Sequence, residues 1–134
     1  MIAASLYCLC AALAMRIGWK YATGPVPLDY HARILEKAGV TLDRAVSGLL
    51  LAQYRTLACA LFALSFAVLA MAVFGVAQGA LWARIATPVA IVIFTGPVAA
   101  VGRKAERVTG VKTPWRIGMA VNVLAVIGFV LSWL

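Results

Sequence analysis

Long stretches without charged side chains constrain this chain more than any other feature of its sequence. The segment 85–102 contains no charged residue, and none follows Arg116. The segment 53–81 contains a single charged residue, Arg55. A helix needs roughly 20 predominantly apolar residues to cross the hydrocarbon core of a bilayer. Each of these stretches is therefore predicted to contain a membrane span.

The hydrophobic content of the whole chain supports the same prediction. Hydrophobic residues make up 65% of the 134 residues and the mean hydropathy is +1.01, whereas soluble domains are about half apolar. Backbone groups in lipid must be paired within the segment, and no segment alternates like a strand of a membrane barrel. The predicted fold is one all-α domain, an integral membrane four-helix bundle over residues 1–134. Its spans are predicted at about residues 1–19, 49–76, 81–102 and 116–134.

Basic residues are distributed unequally along the chain. Of the 12 lysines and arginines, only Arg84 lies beside the connection between the second and third spans, and the others lie in or near the connections at about 20–48 and 103–115. Positive residues stay on the cytoplasmic side, so both termini are predicted to be extracytoplasmic, in a bacterial inner membrane. No basic residue precedes Arg16, so the first span is expected to be a retained anchor and not a secretion signal. Seven residues are expected to contact lipid headgroups: Arg16, Lys20, Arg55, Arg103, Lys104, Arg107 and Arg116.

The connection at 20–48 is predicted to contain a short amphipathic cytoplasmic helix. The segment TGPVP is a stiff extended turn, because prolines fix the backbone and restrict the residue before them. In the segment LDYHARILEKAG, Asp29 is predicted to cap the helix and Gly39 to end it. Apolar and charged residues separate onto two faces, with Leu28, Ala32 and Leu35 on one and Arg33, Glu36 and Lys37 on the other. This pattern is typical of a helix that lies on a membrane or packs beneath a bundle.

The segment that begins at Thr41 is apolar and unbroken as far as Phe74, which is too long to stand upright in a bilayer. Three arrangements fit: the helix projects into the cytoplasm, it tilts, or it bends near Gly48. We favour the projecting helix, with Arg55 at the inner interface and its side chain snorkelling into water. A buried Arg55 would need a partner inside the membrane.

Residues able to carry out chemistry are few and scattered. All four acidic residues lie in the predicted cytoplasmic connections. That disfavours a proton-coupled transporter, which carries ionisable residues within its spans. The only histidine, His31, is predicted to be a surface residue of the amphipathic helix, and the three cysteines match neither a metal-site nor a disulfide spacing. We predict no catalytic residue, cofactor site or metal site, and we do not expect an enzyme. The net charge of +8 is explained by span orientation, so nucleic acid is not an expected partner.

Two prolines interrupt the third predicted span. Pro88 lies near its start, where a missing N–H costs little. Pro97 lies inside the helix and removes a backbone hydrogen bond that lipid cannot replace. Asn122 of the fourth span lies at about the same depth, roughly 9 Å from the inner end. It is predicted to pack against the Thr95–Pro97 segment and to hydrogen-bond there, which makes Thr95, Pro97 and Asn122 the predicted helix-packing residues.

Five short segments are spread along the chain: DYHARILEKAG, LLLAQYR, LWARIATP, TPW and GFVLS. Together they resemble those of a group of small, uncharacterised four-span bacterial membrane proteins. The resemblance implies the four-span architecture and no particular activity, substrate or site residue.

Small residues on one face of the fourth span, including Gly118 and Ala125, allow helices to approach closely. The leading hypothesis is therefore a small accessory or structural subunit that packs against a larger membrane complex through such faces. The alternative is a small homo-oligomeric transporter or a protein that binds a lipophilic ligand. A ligand-binding protein would need a cavity lined by several spans, with Gln53, Tyr54, Arg55 or Asn122 turned into it. The expected partners are membrane lipids and either another membrane protein or a second copy.

Overall fold

Helices account for nearly the whole structure, and the all-α prediction is confirmed. A computed structural model describes residues 1–134 and contains no strand. The helices are α1 (Ile2–Thr23), α2 (Asp29–Lys37), α3 (Arg44–Met71), α4 (Leu81–Thr109) and α5 (Trp115–Leu131), and a π-helical turn, Ala72–Val76, continues α3.

Three helical segments are long and apolar enough to cross a membrane: Ile2–Thr23, Arg44–Val76 and Leu81–Thr109. The helix α5 is also apolar but has 17 residues. At the helical rise it is about 25 Å long, a little less than the hydrocarbon thickness of a bilayer.

Glycines in the left-handed conformation end three of the helical segments. Gly39 (φ 66°) and Gly79 (φ 77°) each form the paired backbone hydrogen bonds of a Schellman motif, and Gly110 (φ 67°) makes the single bond of the related αL motif. The prediction that Gly39 ends the amphipathic helix is therefore confirmed. Asp29, predicted to be its N-cap, is instead the first helical residue, and Leu28 occupies the cap position.

The helix α3 begins earlier than its predicted span. Asp43 caps it by accepting a hydrogen bond of 2.7 Å from the Val46 N–H, and the helix runs unbroken through Gly48. Its first buried residue is Tyr54, so about ten residues precede the part that packs in the bundle. Arg55 is exposed. The third arrangement considered from the sequence placed a bend near Gly48, and the structure shows no break in the helix there.

Close contacts define how the helices are arranged. A Cβ atom added to Gly18 of α1 would lie 3.1 Å from Leu61 Cβ of α3, and one added to Gly128 of α5 would lie 3.0 Å from the ring of Tyr7. Tyr21 of α1 also meets Tyr54 of α3, and Cys10 of α1 meets the Val121 carbonyl of α5, so α1 runs antiparallel to both helices. The helix α4 pairs with α5. The end of the bundle where α1 and α4 finish and α3 and α5 begin is called the basic end below.

The core of the bundle is built mainly from small side chains. Eleven buried residues form one cluster, which includes Tyr7, Cys10 and Val68. The buried hydroxyls of Ser65 and Thr87 each donate 2.7 Å hydrogen bonds to the carbonyl four residues earlier, so neither needs a partner on another helix. Such cores let backbones approach closely, as is common between membrane helices.

Candidate functional site

Four rings meet at the basic end and are called the aromatic cluster: Tyr21 of α1, Tyr30 and His31 of α2, and Tyr54 of α3. The Tyr21 and Tyr54 rings meet edge to face with centroids 5.2 Å apart, and the His31 ring stacks on Tyr54 at 5.4 Å. Edge-to-face and offset arrangements are the favourable ones for aromatic pairs. The cluster therefore ties three helices together.

Hydrogen bonds fix the orientation of these rings. The Tyr21 and Tyr30 hydroxyls are 2.8 Å apart, and His31 Nδ1 bonds the Tyr54 hydroxyl. The backbone N–H of the buried Leu28, at the start of α2, donates to the same Tyr54 oxygen at 3.4 Å. Tyr54 therefore holds the first turn of α2 against α3.

An open groove of about 700 Å³ runs beside the cluster, and is called the aromatic groove below. Besides the four rings, its walls are α3 residues: Leu49, Leu50, Ala52, Gln53, Thr56, Leu57 and Ala60. Its size lies within the range of small-molecule sites, which are mostly apolar with a few polar groups. Of the four residues that the ligand-binding hypothesis names, Gln53 and Tyr54 line the groove, whereas Arg55 and Asn122 do not.

The aromatic groove is uncharged at neutral pH. Burial lowers the pKa of His31 from its ordinary 6.5, which keeps the imidazole neutral. Burial and the hydrogen bond to Tyr21 raise the pKa of the Tyr30 hydroxyl. No lysine, arginine, aspartate or glutamate lines the groove. It can therefore offer neutral hydrogen-bond donors and apolar surface to a ligand.

No group of three or more histidine, cysteine or acidic residues in the structure could hold a metal ion. The three cysteines are free. Among the residues that line the groove, His31 is the one titratable base, and its hydrogen-bond partner is the Tyr54 hydroxyl.

The seven residues predicted to contact lipid headgroups are all exposed. One of them, Arg116, also forms a two-bond pair with Glu106, at 2.9 and 3.2 Å. The Thr113 N–H donates to the same carboxylate at 2.9 Å. These bonds, from Thr113 first and Arg116 second, lower the pKa of Glu106. Arg103 and Arg116 both lie against the Trp115 ring, at 5.3 and 4.8 Å from its centroid.

Of the three predicted helix-packing residues, Thr95 and Pro97 lie on different faces of α4, and Asn122 lies on α5. Thr95 Oγ1 lies 2.5 Å from Asn122 Oδ1 and 2.8 Å from the Ile91 carbonyl, so the expected contact between Asn122 and Thr95 is present. Pro97 is exposed and lies about 200° round the helix from Thr95, while Pro88 is buried. The helix continues through both prolines.

The prediction that His31 is a surface residue is wrong. Its side chain is half-buried, and it reaches Tyr54, which is 23 positions away in sequence. The pattern of the amphipathic helix gave no sign of this, because the partner lies on another helix. The available signal was the recurrence of tyrosine beside the predicted inner interface, at positions 21, 30 and 54.

Comparison of the chain with protein-family models, curated proteins and solved structures finds no match. The proposed function therefore rests on the geometry of the aromatic groove and of the helix faces.

Proposed function

We propose that this is a four-span protein of a bacterial inner membrane, with both termini outside, that binds a membrane-soluble ligand in the aromatic groove. The observation that carries the proposal is the groove itself, in which Gln53 and Tyr54 stand beside a mostly apolar wall.

The positions of the tryptophans support the fourth span. Trp19 and Trp115 lie toward the basic end, and Trp82 and Trp133 lie toward the opposite end. Tryptophan is enriched at both membrane–water interfaces. Trp115 and Trp133 are separated by 18 positions, about 27 Å along a helix, which is close to the thickness of the hydrocarbon core.

The basic end supports the orientation, because positive residues are retained on the cytoplasmic side. Cysteine labelling tests it, in a variant whose three native cysteines are replaced by serine. Gln78→Cys should react with an impermeant reagent added outside intact cells, and Lys112→Cys should react only after lysis. The opposite labelling would contradict the orientation and leave the groove in place.

Ligand binding is tested by filling the aromatic groove. Ala60 lines it and is exposed, so Ala60→Trp places an indole in the space. The control is Ala67→Trp, since Ala67 is also exposed on α3 but lies about 10 Å further along the helix. Each protein is purified in mild detergent, and the co-purifying small molecules are measured by mass spectrometry. A molecule retained by the wild type and by Ala67→Trp should be lost from Ala60→Trp, and identical retention in all three would contradict the proposal.

A second candidate, the accessory subunit, is favoured by a specific feature of α4. A Cβ added at Gly96 would have no neighbour within 4 Å, whereas most interior glycines are in close contact. Ala100, one turn further on, is exposed, so a pair of small residues faces outward. Gly96→Leu should release a co-purifying membrane protein, or dissociate a homo-oligomer, without unfolding the chain. A purified assembly of unchanged mass would contradict this role.

A further inference from the structure

The hydrogen bonds of the aromatic cluster determine which of its hydroxyl and imidazole protons have no acceptor within the chain. The Leu28 N–H can only donate, so the Tyr54 oxygen accepts from it. The buried Tyr54 hydroxyl has one proton of its own, and its one available acceptor is His31 Nδ1. A neutral imidazole that accepts at Nδ1 carries its proton on Nε2. His31 Nε2–H has no partner within the chain, and it belongs to a side chain that lines the groove.

The tyrosine pair supplies a second free proton. Tyr21 and Tyr30 share one hydrogen bond, in which one hydroxyl donates and the other accepts. The accepting hydroxyl keeps a proton that no other group of the chain receives. Both tyrosines line the aromatic groove, so this proton and His31 Nε2–H give its lining two neutral donors, one from α2 and one from either α1 or α2.

We infer that the ligand is an uncharged membrane-soluble molecule whose head carries carbonyl acceptors, and that this head is a membrane quinone. The inference rests on the proposed ligand-binding function. Neutral donors match neutral carbonyl oxygens, and the lining contains no lysine or arginine to compensate a phosphate. A phosphate buried without a cation would lose its hydration at a large cost.

Two classes of membrane-soluble molecule carry such carbonyls, diacylglycerols and quinones, and the aromatic rings of the groove favour the quinone. A diacylglycerol offers ester carbonyls without a ring, and a quinone offers two carbonyls on a flat ring. The His31 ring contacts the rings of both Tyr30 and Tyr54, and these side chains line the groove together with Tyr21, so a flat quinone ring can pack against aromatic side chains there. Leu49, Leu57 and Ala60 then provide an apolar wall for a hydrocarbon tail.

The test measures binding of a naphthoquinone with a short saturated tail to the full chain in phosphatidylcholine nanodiscs, with empty nanodiscs subtracted. A matched set of discs contains a short-chain diacylglycerol as the competitor. Saturable quinone binding that the diacylglycerol displaces weakly is the expected result. Stronger binding of the diacylglycerol would overturn the quinone assignment while leaving the ligand-binding function intact.

Substitutions test each donor. His31→Phe keeps a ring and removes the Nε2 proton, so quinone affinity should fall roughly tenfold, as for the loss of one buried hydrogen bond. The double variant Tyr21→Phe/Tyr30→Phe should lose a similar factor, and each single variant should lose less, because either hydroxyl can keep the free proton. Tyr7→Phe is the control, since the Tyr7 hydroxyl is buried in the core without a partner.

The variants also distinguish a wrong assignment of the donors from a wrong location of the binding site. Unchanged affinity in both His31→Phe and the double variant would overturn the donor assignment. If His31→Phe fails to fold, as judged by circular dichroism and gel filtration, His31→Gln replaces it, and an affinity within threefold of the wild type is expected because the amide restores a donor. Binding that survives Ala60→Trp in full would instead reject the groove, and with it the proposed function.

Discussion

The pair α4–α5 and the junction of α1, α2 and α3 are packed in different ways. Between α4 and α5 the closest approaches occur at glycines: a Cβ added to Gly118 would lie 3.1 Å from Ala99 Cβ, and one added to Gly102 would lie 3.1 Å from Trp115 Cβ. At the junction, the contacts are made by rings held through hydrogen bonds. Small residues bring two backbones together and leave no volume, whereas large rings hold helices apart and leave a groove.

This difference indicates where variation is tolerated. The α4–α5 contact depends on the absence of side-chain atoms, so adding atoms should damage it. The junction depends on particular polar atoms, so removing atoms should damage it. Substitutions in the two regions should therefore differ in their effect on stability, and the largest effect is expected where atoms are added.

The largest effect is expected from Gly118→Leu. The added atoms would meet Ala99 and the Thr95 carbonyl, and overpacking of this kind costs about 1–3 kcal/mol and sometimes more. The free energy of unfolding in detergent should fall accordingly. Gly48→Leu on α3 is the control, because its added atoms also replace a helical glycine but enter open space. Equal stability of the two variants would show that α4–α5 is not closely packed.

Tyr54→Phe should have the next largest effect, and a local one. It leaves the buried Leu28 N–H without its acceptor and frees His31, at a cost of about 1–3 kcal/mol. Hydrogen exchange should accelerate in the amides of α2 and remain unchanged in α5. Tyr7→Phe, which removes an unpaired hydroxyl, should leave both rates unchanged. Uniform acceleration across both helices would mean that Tyr54 supports the whole bundle.

The bond between Thr95 and Asn122 should contribute less. Hydrogen bonds between membrane helices average about 0.6 kcal/mol and reach about 2. A double-mutant cycle with Thr95→Val and Asn122→Leu, read from the free energy of unfolding, should give a coupling in that range. A coupling of zero would mean that Thr95 bonds only the Ile91 carbonyl, since one hydroxyl proton serves one acceptor.

The smallest effect should be the pH dependence from Glu106. Its pKa is lowered in the folded state, so its stabilising contribution is present above the ordinary value of 4.5 and is lost as the pH falls through the lowered value. The melting temperature of the wild type should therefore approach that of Glu106→Gln on acidification. Because the Arg116 side chain is 61% exposed, the difference at neutral pH should be small. A gap that widens in acid would contradict this assignment.

The sequence predicted those features that depend on one segment or on depth along the spans. Uncharged stretches located the long helices, Gly39 marked a helix end, and equal depth paired Asn122 with Thr95. The aromatic groove was not predictable in this way, because it requires α2 to fold back until His31 reaches Tyr54. The position of Pro97 was missed for a similar reason, since depth does not specify the side of a helix on which a residue lies.

The π-helical turn at Ala72–Val76 affects how this chain can change in length. It is closed by a bond from the Ala77 N–H to the Ala72 carbonyl, so it holds one residue more than an α-helical turn. Deleting one residue there would restore an ordinary turn and keep the two ends of the helix in phase. The same deletion near Ala58 would rotate everything beyond it by about 100° and exchange buried for exposed faces. Single-residue deletions in this helix are therefore expected to survive in the turn that precedes Gly79, at the end remote from the aromatic groove.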